Sequence, residues 1–309
     1  MILNSLKSGF AQAWASKRMI AVFYLANLFF GLLLMLPLRS ISSDFIGNST
    51  MGAKLGGPLD MDFLFEFFKH NRGATPTFFG LALIVPAANW LFTLFLSGGA
   101  FASLAQGESY SAAFFWGNAA KYFGRFFRLT LWSLPVLVVL FCLQYLETGI
   151  ERLIFGSDPY QNITYWGGWI RSGLRALSFL LFGMILDYAR IHAVLTDEQK
   201  MRTSLVQGLR FTFQNFLQTF GLALALLIIG AVALVIYNPI ANNLSAPNGM
   251  IVFVLFVLQQ IYMIFRATLR LTTYASELHL YRDLATEPAP AEITSTGDLE
   301  MGGLAPATE

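Results

Sequence analysis

Apolar residues are concentrated in six long runs, and most polar residues lie in the segments between them. Each run extends for roughly twenty residues with few or no charges, which as a helix crosses the ~30 Å hydrocarbon layer of a bilayer. A helix also satisfies its own backbone hydrogen bonds in lipid. We therefore predict an all-α integral membrane bundle of six transmembrane helices. The runs are residues 19–38, 77–98, 129–146, 174–194, 216–237 and 250–269.

Amphipathic segments precede the first, third and fifth apolar runs. In residues 109–128, aromatic side chains dominate while Lys121, Arg125 and Arg128 recur at three- and four-residue spacing. A helix places these cations along one face, level with anionic lipid headgroups. We predict three amphipathic interfacial elbow helices, each leading into a span. Interfacial anchoring explains the basic residues most simply, and specific binding of a lipid headgroup or a partner is the alternative.

The three elbows share a pattern that indicates an internal repeat. Aligning Gly9, Gly117 and Gly208 also aligns small residues four positions earlier and aromatic residues five positions later. We therefore predict one membrane domain, residues 1–285, built from three units of elbow, span, outer loop and span. The predicted units are residues 1–105, 106–196 and 197–285.

The composition changes abruptly after the last span. Residues 286–309 are rich in Pro, Ala, Thr and Gly, and they carry acidic but no basic side chains. Such a segment has too little apolar surface to form a core. We predict a disordered acidic tail.

The positions of Lys and Arg favour one orientation in the membrane. If both termini lie inside, 13 of the 20 basic residues fall on the inner side, and acidic residues match the others in the outer loops. The positive-inside rule then predicts a cytoplasmic N-terminus and a cytoplasmic C-terminus. The inner basic residues are Lys7, Lys17, Arg18, Lys121, Arg125, Arg128, Arg190, Lys200, Arg202, Arg210, Arg266, Arg270 and Arg282.

Ionisable residues near the inner ends of two spans form the candidate site. Asp187 and Arg190 lie three residues apart in the fourth span, and Arg266 and Arg270 lie four apart in the sixth. Because a buried charge is costly without a partner, we expect Asp187 to pair with Arg190 and to link the two spans through Arg266. The functional alternative is an anion or headgroup site formed by Arg190, Arg266 and Arg270.

No pattern of residues indicates catalysis. The three histidines, His70, His192 and His279, lack metal-ligand spacing, and Cys142 is the single cysteine. A formal net charge of +2 gives no reason to expect a nucleic-acid partner. We expect a protein that is not an enzyme and that holds neither metal nor cofactor, with membrane lipids and another membrane protein as its partners.

Short motifs near the inner ends of the spans resemble those of known membrane proteins. They are Ser97-Gly98-Gly99, the elbow ending 124–129 (GRFFRL), and 187–191 (DYARI) leading to 209–211 (LRF). In these motifs the chain resembles six-span bacterial membrane proteins of uncharacterised families, and the membrane domain of some glycerophosphodiester phosphodiesterases. The resemblance implies a shared membrane architecture in a bacterial inner membrane, without hydrolase activity.

Two functions follow from these observations. Scarce buried charge and many interfacial aromatic residues favour an accessory or scaffolding subunit of a membrane complex. The repeat and the inner arginines favour the alternative, a transporter of a lipid or an amphipathic small solute.

Overall fold

The computed structural model describes residues 1–47, 61–73, 75–107, 110–156, 160–243 and 249–285, and the predicted tail lies outside them. In these residues the regular structure consists of ten helices, with no strand. Six helical segments are long and apolar enough to cross a membrane, so the predicted all-α multi-pass architecture is confirmed. The helices are α1 (Ile2–Ala15), α2 (Lys17–Ile46), α3 (Met61–His70), α4 (Thr75–Gln106), α5 (Ala112–Cys142), α6 (Gln144–Phe155), α7 (Gln161–Leu195), α8 (Met201–Gln214), α9 (Phe216–Asn243) and α10 (Gly249–Ala285).

Two short helices, α1 and α8, pack against long spans through a stripe of small residues. In α1 the stripe is Ser5, Gly9 and Ala13, which are four residues apart and buried against α10. In α8 the equivalent stripe packs against α7. Small residues let two helix backbones approach closely, and this close packing gives contact energy that lipid tails alone cannot provide. The α8 stripe consists of Ser204, Gly208 and Thr212.

Each of these elbows ends at a single residue that breaks the helix. Ser16 separates α1 from α2, and its hydroxyl donates a hydrogen bond to the Gln12 carbonyl at 3.0 Å. Asn215 separates α8 from α9 in the same way, donating from its side-chain amide to the Phe211 carbonyl at 3.2 Å. Both residues lie seven positions after the buried glycine of the elbow, so the first and third elbows share one local geometry.

The middle elbow is different, because α5 runs through elbow and span without a break. In the contact between α4 and α5, the small residues belong to the span α4 and the large residues belong to the elbow part of α5. A Cβ placed on Gly99 of α4 would lie 2.6 Å from the Phe115 carbonyl oxygen, and one on Gly98 would lie 2.9 Å from the Tyr122 Cβ. Gly117 has no atom within 4 Å of such a position. Gly117 therefore does not occupy the contact that Gly9 and Gly208 make.

The elbows link the long helices in a ring at one end of the bundle, which we call the elbow side. The first half of α5 packs on α4, α8 packs on α7, and α1 packs on α10. Gln12 of α1 connects α4 and α10. Its side-chain NH2 group donates to the Leu104 carbonyl at 2.9 Å, and its side-chain oxygen lies 3.0 Å from Nε2 of His279. Each elbow thus contacts the span that precedes it in the ring.

Buried apolar side chains are concentrated at the elbow side. They include Phe23, Phe101, Phe126, Tyr188 and Leu278, each almost completely buried. On the opposite side, polar side chains join α6 and α7, among them an Arg171–Glu147 ion pair at 3.0 Å. The elbow side is therefore the well-packed end of the molecule.

Candidate functional site

A polar crevice lies between α2, α4 and α10, and α7 closes its elbow-side end. All four residues of the predicted site, Asp187, Arg190, Arg266 and Arg270, line this crevice. The long helices α7 and α10 position them, because residues three or four apart on a helix share a face. The structure thus brings the predicted residues together.

The two charged residues of α7 pair with each other. Arg190 donates from Nη1 to Oδ1 of Asp187 at 2.7 Å, and the two side chains are only 12% and 17% exposed. The Arg190 guanidinium also lies over the Phe126 ring, with its carbon 5.7 Å from the ring centroid. Its Nε is buried without a hydrogen-bond partner, so Arg190 retains an unused donor.

The predicted link from Asp187 to Arg266 is wrong. No ion pair joins these two residues, and the carboxylate of Asp187 binds Arg190 on its own helix instead. The two spans are therefore not linked through this acid.

Arg266 and Arg270 make no hydrogen bond or ion pair with any residue that the structure describes, although the charge of Arg270 acts on Asp187 at longer range. Both side chains are exposed at the surface of the crevice. Ser276, which contacts the α1 elbow, lies ten residues further along α10, or about 15 Å at 1.5 Å per residue. Arg266 and Arg270 therefore lie in the elbow-side half of a ~30 Å hydrocarbon layer, near the end of the last apolar run.

The crevice has two chambers that share both arginines. The chamber nearer the elbow side has a volume of about 400 Å³ and includes Thr93 and Ser97. The second has a volume of about 350 Å³ and includes Asn89, whose side-chain oxygen is buried without a hydrogen-bond partner. Apolar side chains, Trp90 among them, complete the walls. The chambers can accommodate a molecule with an anionic end and an apolar body.

The charges lining the crevice have an excess of positive sign. Three arginines face one aspartate, Asp187, and that aspartate is paired. Glu277, a buried acid on α10, lines a neighbouring cavity between α7, α9 and α10, which shares Asp187, Leu269 and Thr273 with the crevice. A planar guanidinium can bind a phosphate or a carboxylate with two parallel hydrogen bonds. The arrangement is therefore suited to hold an anion.

The basic elbow is held by an acid that sequence reasoning missed. Asp197, between α7 and α8, accepts hydrogen bonds from Arg125 at 2.7 Å and Tyr122 at 3.1 Å, and lies 2.9 Å from Lys121 Nζ. Lys121 and Arg125 lower the pKa of Asp197 to about 2. Its positive φ of 50° identifies a turn, but no spacing in the sequence connects that turn with residues 121–125. Two of the three predicted elbow cations thus have a structural partner.

Arg128 lies apart from this ion-pair cluster. Its Nε donates to the Gly124 carbonyl at 3.2 Å, and it lines a cavity of about 430 Å³ with Lys200 and Arg202. Arg202 stacks over the Trp132 ring at 3.6 Å. Within the described ranges, no three His, Cys, Asp or Glu side chains come together in a way that could hold a metal ion.

The motifs that resemble known membrane proteins lie at packing contacts. Gly98 and Gly99 face the middle elbow, and Ala189 faces Gly208 of the third elbow, where an added Cβ would lie 2.8 Å from the Ala189 nitrogen. Comparisons of the chain with protein-family models, with curated proteins and with solved structures found no match. The geometry of the crevice is therefore the observation from which a function can be inferred.

Proposed function

We propose that the protein binds an acidic amphipathic molecule in the membrane, holds its headgroup at Arg266 and Arg270, and passes it between the two membrane faces. The substrate class is a lipid or amphipathic solute with a phosphate or carboxylate. The observation that carries this proposal is a pair of arginines without ion-pair partners in the described structure, lining a crevice in the elbow-side half of the membrane.

The energetic argument is the cost of these arginines. An arginine costs at most about 2.5 to 3.5 kcal/mol on insertion scales, the value for the centre of a membrane helix, and such residues are kept where they pair or serve a pathway. Arg190 has its partner in Asp187, whereas Arg266 and Arg270 have none among the described residues. An anionic headgroup would supply the missing partner, and the apolar walls would contact its chains.

The proposal also covers location and chemistry. We place the protein in a bacterial inner membrane with both termini cytoplasmic, which the distribution of Lys and Arg supports. In this orientation the elbow side faces the cytoplasm. The protein acts without catalysis, and its resemblance to the membrane domain of glycerophosphodiester phosphodiesterases is one of architecture.

Lipid movement in proteoliposomes tests the proposal. We expect the protein to speed the exchange of fluorescent phosphatidylglycerol between leaflets, and to act much less on zwitterionic phosphatidylcholine. Arg266→Gln should reduce this exchange at least fivefold, because the headgroup loses its charge-assisted bond. Arg210→Gln makes the same chemical change at an exposed position on α8, outside the crevice, and should leave the rate unchanged. Equal rates for both lipids, or equal loss in both variants, would refute the proposal.

The second candidate function is an accessory or scaffolding subunit of a membrane complex. It is favoured by exposed apolar side chains on α6 and the start of α7, outside the apolar runs 129–146 and 174–194. Leu153 is 87% exposed and Trp169 is 63% exposed. Exposed apolar patches of this kind are typical of interaction surfaces. Co-purification of one stoichiometric protein partner, without lipid exchange activity, would favour this second function.

A further inference from the structure

A groove between α6 and the first half of α7 lies at the opposite side of the molecule from the elbows. Its volume is about 520 Å³. The walls are almost entirely apolar, formed by Leu146, Ile150, Phe155, Ile163, Trp166 and Ile170. The groove is separate from the arginine crevice, and no residue lines both.

Polar contacts join the two helices that form the groove. Arg171 donates from Nε to Glu147 at 3.0 Å, Arg175 donates from Nε to Gln144 at 3.0 Å, and Thr164 donates to Glu151 at 3.1 Å. Glu147 is only 7% exposed, and its second carboxylate oxygen has no hydrogen-bond partner. These contacts fix the spacing of α6 and α7, so the groove is preformed.

The groove crosses the boundary between hydrocarbon and headgroups. Ala189, which contacts the third elbow, marks the elbow-side boundary on α7. At 1.5 Å per residue, Leu174 lies about 22 Å from Ala189, and Ile163 lies about 39 Å away. A hydrocarbon layer ~30 Å thick therefore ends between these two residues. One end of the groove opens into the lipid chains, and the other end stands above them.

We propose that the α6–α7 groove holds an acyl chain of a lipid that has been partly drawn out of the outer half of the bilayer. The continuity of the groove with the hydrocarbon layer identifies this occupant, because a chain can enter at Leu174 without crossing water. The apolar walls replace the lipid tails that it leaves. Arg171 lies near headgroup depth, on the helix that forms one wall. This proposal does not depend on the arginine crevice.

Fluorescence quenching in vesicles tests the proposal with a matched pair of tryptophans. Trp166 lines the groove, whereas Trp169 lies three residues along the same helix outside it. The two side chains are equally exposed, at 61% and 63%. Single-tryptophan variants that keep one or the other, with the remaining tryptophans replaced by Phe, would be reconstituted with lipids brominated near the ends of their acyl chains. We expect Trp166 to be quenched at least twice as strongly as Trp169.

A second pair of variants tests whether the groove itself is responsible. Ile150→Arg places a charge on the groove wall and should restore most of the Trp166 fluorescence. Leu153→Arg places the same charge on the exposed side of α6 and should leave the quenching intact. Equal quenching of both tryptophans would mean that α6 and the first half of α7 simply lie in lipid. Absence of quenching would mean that a protein segment, or no acyl chain, occupies the groove. Either result overturns the proposal, while Arg266→Gln should leave the quenching unchanged, so the two proposals fail separately.

Discussion

The close contact between Gly208 of α8 and Ala189 of α7 allows the cost of a substitution in the third elbow to be calculated. In Gly208→Ala the new methyl group would lie 2.8 Å from both the nitrogen and the Cβ of Ala189, and 2.9 Å from its Cα. Backbone atoms cannot rotate away, so α7 and α8 must separate. Overpacking of this kind costs about 1 to 3 kcal/mol. Replacing glycine by alanine inside a helix also gains up to about 1 kcal/mol in propensity.

The matched control is Gly117→Ala, at a helical position with no atom within 4 Å of the added methyl group. It has the same propensity gain without the clash, so the difference between the two variants isolates the contact. We expect Gly208→Ala to unfold about 1 to 3 kcal/mol more easily than Gly117→Ala. Reversible unfolding in mixed detergent micelles, followed by circular dichroism, measures this difference. Equal stability of the two variants would show that α7 and α8 are not in backbone contact.

Three further predictions concern other contacts. Asp197→Asn should remove a contribution to stability that is present above the ordinary carboxyl pKa and is lost as the pH falls toward 2, because Lys121 and Arg125 lower the pKa of Asp197 in the folded state. Thermal unfolding at pH 7 and pH 3 should show a smaller pH dependence in the variant. The cost of the substitution at pH 7 should stay below about 1 kcal/mol, because the Asp197 side chain is 55% exposed. Ser178→Ala should cost about 0.6 to 1.7 kcal/mol in a detergent unfolding titration, because the buried hydroxyl donates to the Leu140 carbonyl of α5 at 2.7 Å. Deletion of residues 286–309 should leave membrane insertion and lipid exchange unchanged, as assayed by fractionation and in proteoliposomes.

Hydropathy was enough to predict the six spans, because the length of an apolar run directly determines whether a helix can cross the bilayer. The elbows were predictable for a similar reason, since an amphipathic segment beside a span belongs at the interface. The continuous α5 was not predictable, because nothing in its sequence distinguishes a bend from a straight junction. The breaks at Ser16 and Asn215, which end the other two elbows, became visible only in the structure.

The candidate site was predictable as a set of residues but not as a set of contacts. Spacing along one helix predicts the Asp187–Arg190 contact, since residues three apart are neighbours. Contacts between helices depend on rotation and tilt, which the sequence of a lipid-facing helix defines poorly. For this reason the link from Asp187 to Arg266 was wrong, and the role of Asp197 in holding the middle elbow was missed.

The most direct test of the central claim is native mass spectrometry of the protein extracted with lipid from a bacterial inner membrane. We predict one retained anionic lipid or acidic amphipath per chain, lost from the Arg266→Gln, Arg270→Gln double variant and kept in Arg210→Gln. Retention of the same molecule by the double variant would contradict the claim that these arginines hold its headgroup. A stoichiometric protein in place of the lipid would contradict it as well, and would make the accessory subunit the leading function.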